Sequence, residues 1–214
     1  MRLGSLLPSC LFSSANSGAA PLLVGFHGYA ENADIALERL QQIPGADGWR
    51  LVSVQGLHRF YRGRSELVVA NWMTRQDREL AIADNLAYVS AVIGEVMPDG
   101  AEHHPLVFSG FSQGVAMAFR AACLGTHRSL GVIALGGDVP PDIEAMRLAR
   151  ASTVLLGRGV RDDWYTDAKF AADADRLRGS DVVVTPMSLD AGHEWTAEFA
   201  AEAGRFLTAL ARRA

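Results

Sequence analysis

Two cysteines, Cys10 and Cys123, are all that this chain of 214 residues carries. That is too few for a disulfide framework and excludes the small, disulfide-stapled class. Cys123 falls on the apolar face of a predicted helix and reads as a core thiol. No apolar stretch approaches the ~18 residues of a membrane-spanning helix, so no membrane insertion is expected. No basic stripe appears, and a net charge of −4 gives no electrostatic case for nucleic acid. Internal repeats, low-complexity runs and long linkers are lacking too, which reads as one domain over residues 1–214. No insertion is long enough to build a separate cap domain. The one His/acid cluster, Glu102-His103-His104, precedes a strand. Adjacent histidines in an extended segment point to opposite sides and make a poor ligand pair, so neither a metal nor a cofactor is expected.

The N-terminus is apolar over residues 3–12, but Gly4, Pro8 and Cys10 interrupt it and Arg2 is its single positive charge. It reads as an edge strand with a turn over residues 13–18 rather than as a signal peptide, and a cytoplasmic protein is expected.

What the chain does contain is an alternation of strand and helix patterns, with 49% hydrophobic residues to fill a three-layer core. Strands are predicted over 22–26, 50–54, 105–109, 130–135, 152–157 and 182–188. Helices are predicted over 32–43, 78–97, 113–124, 167–178 and 195–211. The second of these repeats Leu80, Ala83, Leu86, Val89 and Ile93 at helical spacing and buries a broad face. The fold class is α/β, a mostly parallel central sheet flanked by helices on both faces.

Within that frame stands Gly110-Phe111-Ser112-Gln113-Gly114, a G-x-S-x-G between a buried strand and a helix. A serine on such a turn is held in strained geometry with its Oγ projecting from the sheet, and the flanking positions must be glycine to avoid neighbouring backbone. The amides opening the helix can then stabilise negative charge on a group bonded to Ser112.

A nucleophile needs a base and an acid. Two histidines follow Ser112. His127 lies in a polar helix–strand link and reads as a surface residue. His193, in Asp190-Ala191-Gly192-His193-Glu194-Trp195, follows the last strand and opens into the last helix, where a general base is expected. Candidate acids between the two are Asp138, Asp142, Asp162, Asp163 and Asp167. An acid that orients His193 belongs on the loop one strand earlier, which favours Asp162, with Asp163 as its more exposed neighbour. Asp138 between glycine and proline equally reads as a turn residue. An oxyanion hole takes the amide of Gln113 and a second one from the turn after the first parallel strand, His27-Gly28-Tyr29-Ala30: Tyr29 first, Ala30 second. His27 reads as a hydrogen-bonded tie within that turn.

These segments together resemble the α/β-hydrolase superfamily, and more closely the phospholipase/carboxylesterase family that includes the acyl-protein thioesterases. The GFSQG pentapeptide is specific to that group. Asn71-Trp72-Met73 resembles the family's tryptophan segment bordering the active site. The likeness runs from about residue 22 to 207. It implies Ser112, Asp162 and His193 as nucleophile, acid and base, and the amides of Tyr29 and Gln113 as oxyanion donors. Ala30 and Glu31 stand where the thioesterases usually carry glycine and aspartate, Met73 and Thr74 replace an aspartate after the tryptophan, and Val115 replaces a second glycine. The run from Arg158 to Thr166 resembles a bacterial branch of the esterases.

Residues 55–75 alternate basic and aromatic side chains, among them Arg59, Tyr61, Arg62, Arg64 and Trp72. A loop of this length after a strand's carboxyl end hangs over the edge that carries Ser112. Trp72 and Met73 read as an apolar wall toward substrate, the three arginines equally as solvated charge. The expected activity is cleavage of small-molecule carboxylic esters of short to medium acyl chain through an acyl-enzyme. A thioesterase or lysophospholipase is the alternative, and a non-catalytic binding protein the remoter one. A homodimer is compatible with this reading.

Overall fold

The computed structural model describes residues 10–13, 20–97 and 104–212, the first group by its backbone alone. Its centre is β2 (Leu22–Phe26) and β6 (Leu106–Phe111), in which every side chain is buried. Strands buried on both faces belong inside a sheet covered by helices on both sides. Around them lie β1 (Cys10–Ser13), β3 (Arg50–Val54), β7 (Gly131–Leu135), β8 (Thr153–Gly159) and β9 (Val183–Leu189), in the order β1-β3-β2-β6-β7-β8-β9. All neighbours pair in parallel except β1, which runs antiparallel along β3, Cys10 opposite Val54. The N-terminal edge strand is thus present at 10–13; residues 3–9 and the turn over 14–18 lie outside the described residues, as do Glu102 and His103.

Alternation along the strands splits the core in two. Leu22, Val24 and Phe26 join Phe108, Val132 and Leu156 on the face covered by α2 (Arg78–Val96), α3 (Gln113–Leu124), α4 (Ala145–Leu148) and α5 (Asp167–Arg178). Leu23, Leu51, Val107 and Ile133 join the other face, under α1 (Ala33–Gln41) and α6 (Ala197–Ala211). Period-two side chains sorting onto two helical layers is what a doubly covered sheet requires. Cys123 is wholly buried, and burial pushes its thiol up to about 11. No helix among the described residues is long and apolar enough to cross a membrane.

The predicted elements recur with shifted ends: α1 and α6 are shorter, β6 and β8 run two residues further. Besides a short 3-10 turn before β3, Ala46–Gly48, two features were not predicted. Residues 55–75 are not a plain loop but hold a two-stranded hairpin, β4 (His58–Tyr61) with β5 (Val68–Asn71). The link after β7 carries α4 and a short 3-10 turn, Ala149–Ala151.

Candidate active site

Ser112 sits between β6 and α3 with φ 54 and ψ −122, a conformation that side-chain-bearing residues rarely hold. The surroundings impose it. A Cβ on Gly114 would fall 2.2 Å from the Phe26 carbonyl oxygen, and one on Gly110 would fall 2.4 Å from that of Gly114. The Ser112 N–H donates to the Leu135 carbonyl at 2.9 Å, tying the turn to β7.

The loop after β9 brings His193 to this serine. Ser112 Oγ lies 2.8 Å from His193 Nε2, and His193 Nδ1 lies 2.7 Å from Asp162 Oδ2. A carboxylate can only accept, so Nδ1 carries the proton and Nε2 is free to accept from the serine hydroxyl. Asp162 follows β8 and is almost wholly buried. Its other oxygen, Oδ1, accepts the amides of Trp164 at 2.8 Å and Tyr165 at 2.9 Å. Burial works to raise its carboxyl; those two amides and His193 outweigh it and hold it below the usual carboxylate range. Asp163 next to it is exposed, Asp138 pairs with Lys169 at 3.4 Å, Asp142 with Arg120, and Asp167 with Arg158. Of the five candidate acids, the structure brings Asp162 to His193. His127 is half-buried, 3.1 Å from the Ser90 carbonyl and away from the serine.

Opposite, the turn after β2 is braced from several sides. The Gly56 amide donates to His27 Nε2 at 3.0 Å, so the imidazole donates from Nδ1 to the Gly28 carbonyl at 2.7 Å. Burial lowers the pKa of His27 and keeps it neutral in this role. Glu31 accepts the Gly28 amide at 2.7 Å and both Arg39 nitrogens at 2.6 Å. Burial opposes ionisation of Glu31, but the Arg39 guanidinium overrides it and lowers its pKa. The Ala30 amide, the second oxyanion candidate, is spent on the Ala70 carbonyl at 3.1 Å. The other two candidate amides are those of Tyr29 and of Gln113, which opens α3, where first-turn amides lack intrahelical acceptors.

Above Ser112 lies a cavity of about 990 Å³, lined by Tyr29, Met73, Ala116, Pro140, Trp164 and His193 among others. Trp72 and Met73 part company here. Met73 lines the cavity, whereas Trp72 is wholly buried, stacked edge-on against Phe26 at 5.4 Å, and donates from Nε1 to the His27 carbonyl at 2.8 Å. The expected apolar wall is therefore Met73 alone; a buried indole N–H needs an acceptor, and it finds one in the turn after β2.

Three supports were not anticipated from the sequence. The Gln113 side chain accepts the Trp72 amide at 2.9 Å and donates to the Met73 carbonyl at 3.0 Å. Glu31 and Arg39 form the brace just described. Tyr165 donates to Asp173 at 3.0 Å, and Asp173 also accepts the Val139 amide. Among the described residues no group of histidine, cysteine and acidic side chains is placed to hold a metal ion.

A parallel sheet covered on both faces, with a serine in a strained strand-to-helix turn and a histidine and acid on later loops, defines an α/β-hydrolase. The chain belongs to the phospholipase/carboxylesterase family, whose model matches residues 66–207, and is a carboxylesterase- or phospholipase-like hydrolase. Solved structures repeat the fold. Acyl-protein thioesterase 2 of Zea mays superposes with a TM-score of 0.73 at 18% identity, over 94% of this chain and 98% of that one. A carboxylesterase of Bacillus cereus gives 0.72 at 16% identity, over 94% and 93%. A phospholipase/carboxylesterase of Dyadobacter fermentans gives 0.68 at 18%, over 94% and 96%. No curated protein matches the chain significantly by sequence.

Proposed function

We propose that the protein is a serine esterase that cleaves carboxylic esters of short to medium acyl chain in two steps. The observation that carries this reading is the unbroken hydrogen-bonded chain from Ser112 Oγ through His193 to Asp162, at 2.8 and 2.7 Å. His193 Nε2 takes the hydroxyl proton as Oγ attacks the ester carbonyl. The carbonyl oxygen gains the negative charge and is met by the amides of Tyr29 and Gln113. Asp162 steadies the imidazolium without taking its proton. The tetrahedral intermediate expels the alcohol, which leaves with the proton from Nε2. Water, deprotonated by His193, then attacks the acyl-enzyme and frees the acid.

A thioester passes through the same acyl-enzyme, and the fold shared with a plant acyl-protein thioesterase supports it as the second substrate class. The test is initial rates on p-nitrophenyl esters from acetyl to palmitoyl, beside an acyl-thiol series, for wild type and Ser112→Ala. We expect activity on the shorter esters and a kcat lower by about 10⁴ or more in the variant. A variant within tenfold of wild type refutes Ser112 as nucleophile.

A further inference from the structure

The cavity beside Ser112 is electrically uneven. One wall is Met73, Thr74, Arg75 and Arg78, and the adjoining floor is Gln113, Ala116 and Arg120 of α3. Positions 116 and 120 follow 112 at the spacing that keeps side chains on one helix face, so this floor leads away from the serine over about 12 Å.

Arg120 closes it. Its side chain is wholly buried and donates from Nε and Nη2 to Asp142 at 3.0 and 2.6 Å. Its Nη1 meets the Met73 thioether at 3.2 Å, a weak acceptor. Arg78 Nη2 lies 3.7 Å from the same Asp142 carboxylate. Arg75 is exposed and has no ion-pair partner among the described residues. Two guanidinium groups thus share one carboxylate, with that of Arg75 beside them, in a chain whose net charge is −4.

Local stability does not account for this cluster. Arg78 is the first residue of α2, where the helix dipole disfavours a cation. The residue before it, Asp77, has φ 49 and makes no side-chain cap. Glu79 in the same turn is exposed and does not line the cavity. Across the cavity the charges are matched, Asp138 by Lys169 and Arg161 by Asp190, with exposed Asp163 left over. The positive surplus therefore faces one side.

That side is the acyl side. His193 must protonate the departing alcohol, so the leaving group exits toward the loops of β8 and β9. In the sheet these strands lie on one side of β6, and β2, whose following turn is stitched to β5, lies on the other. An acyl chain that points away from His193 would run along Met73 and Ala116 toward the arginines.

Building on the ester-hydrolase reading, we propose that the acyl group ends in a carboxylate held by Arg75 and Arg78, with Arg120 behind them. The substrate class is then monoesters of dicarboxylic acids. Water adds across the acyl C–O bond and releases the diacid and the alcohol.

The test compares kcat/KM for p-nitrophenyl hydrogen suberate and p-nitrophenyl octanoate on wild type, on Arg75→Gln/Arg78→Gln and on Arg75→Lys/Arg78→Lys. Wild type should favour the carboxylate-bearing ester by about tenfold, the scale of one charged hydrogen-bonded contact. Added salt should shrink the preference, the glutamine pair should bring the ratio toward unity, and the lysine pair should keep part of it. A wild type that handles the octanoate equally well or better, or a ratio unmoved by the glutamines, overturns the anion site and leaves the ester hydrolase standing. No turnover of either ester overturns the hydrolase reading and the anion site with it.

Discussion

The elbow between β6 and α3 and the excursion over residues 55–77 both border Ser112, yet they are held in different ways. At the elbow, backbone presses on backbone: Gly114 against the Phe26 carbonyl, and the Ser112 amide on that of Leu135. The excursion projects a hairpin whose Tyr61, Leu67 and Val68 are exposed. It is secured near its base by side-chain hydrogen bonds, from Gln113 to residues 72 and 73 and from Asn85 to the Trp72 carbonyl. Rigid, close-packed atoms cannot be displaced by a modest substitution without loss of fold, whereas side-chain latches can be released one at a time. On the proposed mechanism the reacting serine belongs to the stiffer region, and Met73, which lines the cavity, to the looser one.

Four substitutions and one condition test that division, and the largest effect is expected at Asp162. Asp162→Asn should lower kcat by about 10³–10⁴-fold, on the scale of the corresponding change in other triads. Asp163→Asn, exposed and outside the hydrogen-bonded chain, should stay within about threefold. Steady-state kinetics giving equal losses would reassign the acid.

Next comes Gly114→Ala. A Cβ at 2.2 Å from a carbonyl oxygen cannot be accommodated without moving β2 or α3. We expect a stability loss of about 3 kcal/mol or more, with Tm falling on the order of 6–12 °C. An unchanged melting curve would show that the elbow is not crowded as described.

Gln113→Ala, which removes two latches but keeps the backbone amide, should cost about 1–2 kcal/mol. Its larger effect should be on KM rather than kcat, since the 72–73 segment loosens while Ser112 and His193 stay placed. A kcat collapse with KM intact would contradict that.

Acid should reveal the smallest effect. Asp162 and Glu31 are held below the usual carboxylate range against the opposing pull of burial, Asp162 by amide hydrogen bonds and His193, and Glu31 by Arg39. Carboxyls depressed in the fold contribute stability that is present above the unfolded pKa of about 4 and lost as pH falls through the folded value. Asp173 has the opposite sign, because burial raises its carboxyl; its contribution is present below the unfolded value and fades as pH rises through the folded one. Thermal scans should show Tm dropping below about pH 4, with a shallower slope in Asp162→Asn. Identical slopes in the two proteins would remove Asp162 from that balance.

The strand-to-helix setting of Ser112, the place of His193 after the last strand and the alternation of strands with helices were legible in the sequence because each rests on a local pattern: a pentapeptide after an apolar run, a Gly-His after a strand, period-two and helical spacings. The hairpin was not, because β4 is largely exposed and made of basic and aromatic residues, while β5 is a four-residue apolar run ending in Asn71 and buried at three positions, so neither shows a clean alternation. Trp72 was assigned to the cavity because the fate of an indole depends on its partners, here Phe26 and the His27 carbonyl, forty-five residues upstream. The brace between Glu31 and Arg39 spans a helix N-cap at Asn32, where no fixed spacing rule predicts contact. Local order was readable; the side-chain hydrogen bonds that brace the site from outside it were not.

The two hydrogen bonds between Ala70 and residues 30 and 31, at 3.1 and 2.8 Å, bear on how such a scaffold diversifies. They make the hairpin a poor exchangeable cassette. A graft that replaced the whole excursion to acquire a new substrate range would also tug on the turn that supplies the Tyr29 amide. Tolerated variation should therefore concentrate at the hairpin tip, residues 62–67, while its base travels unchanged with the turn after β2 as a single inherited unit.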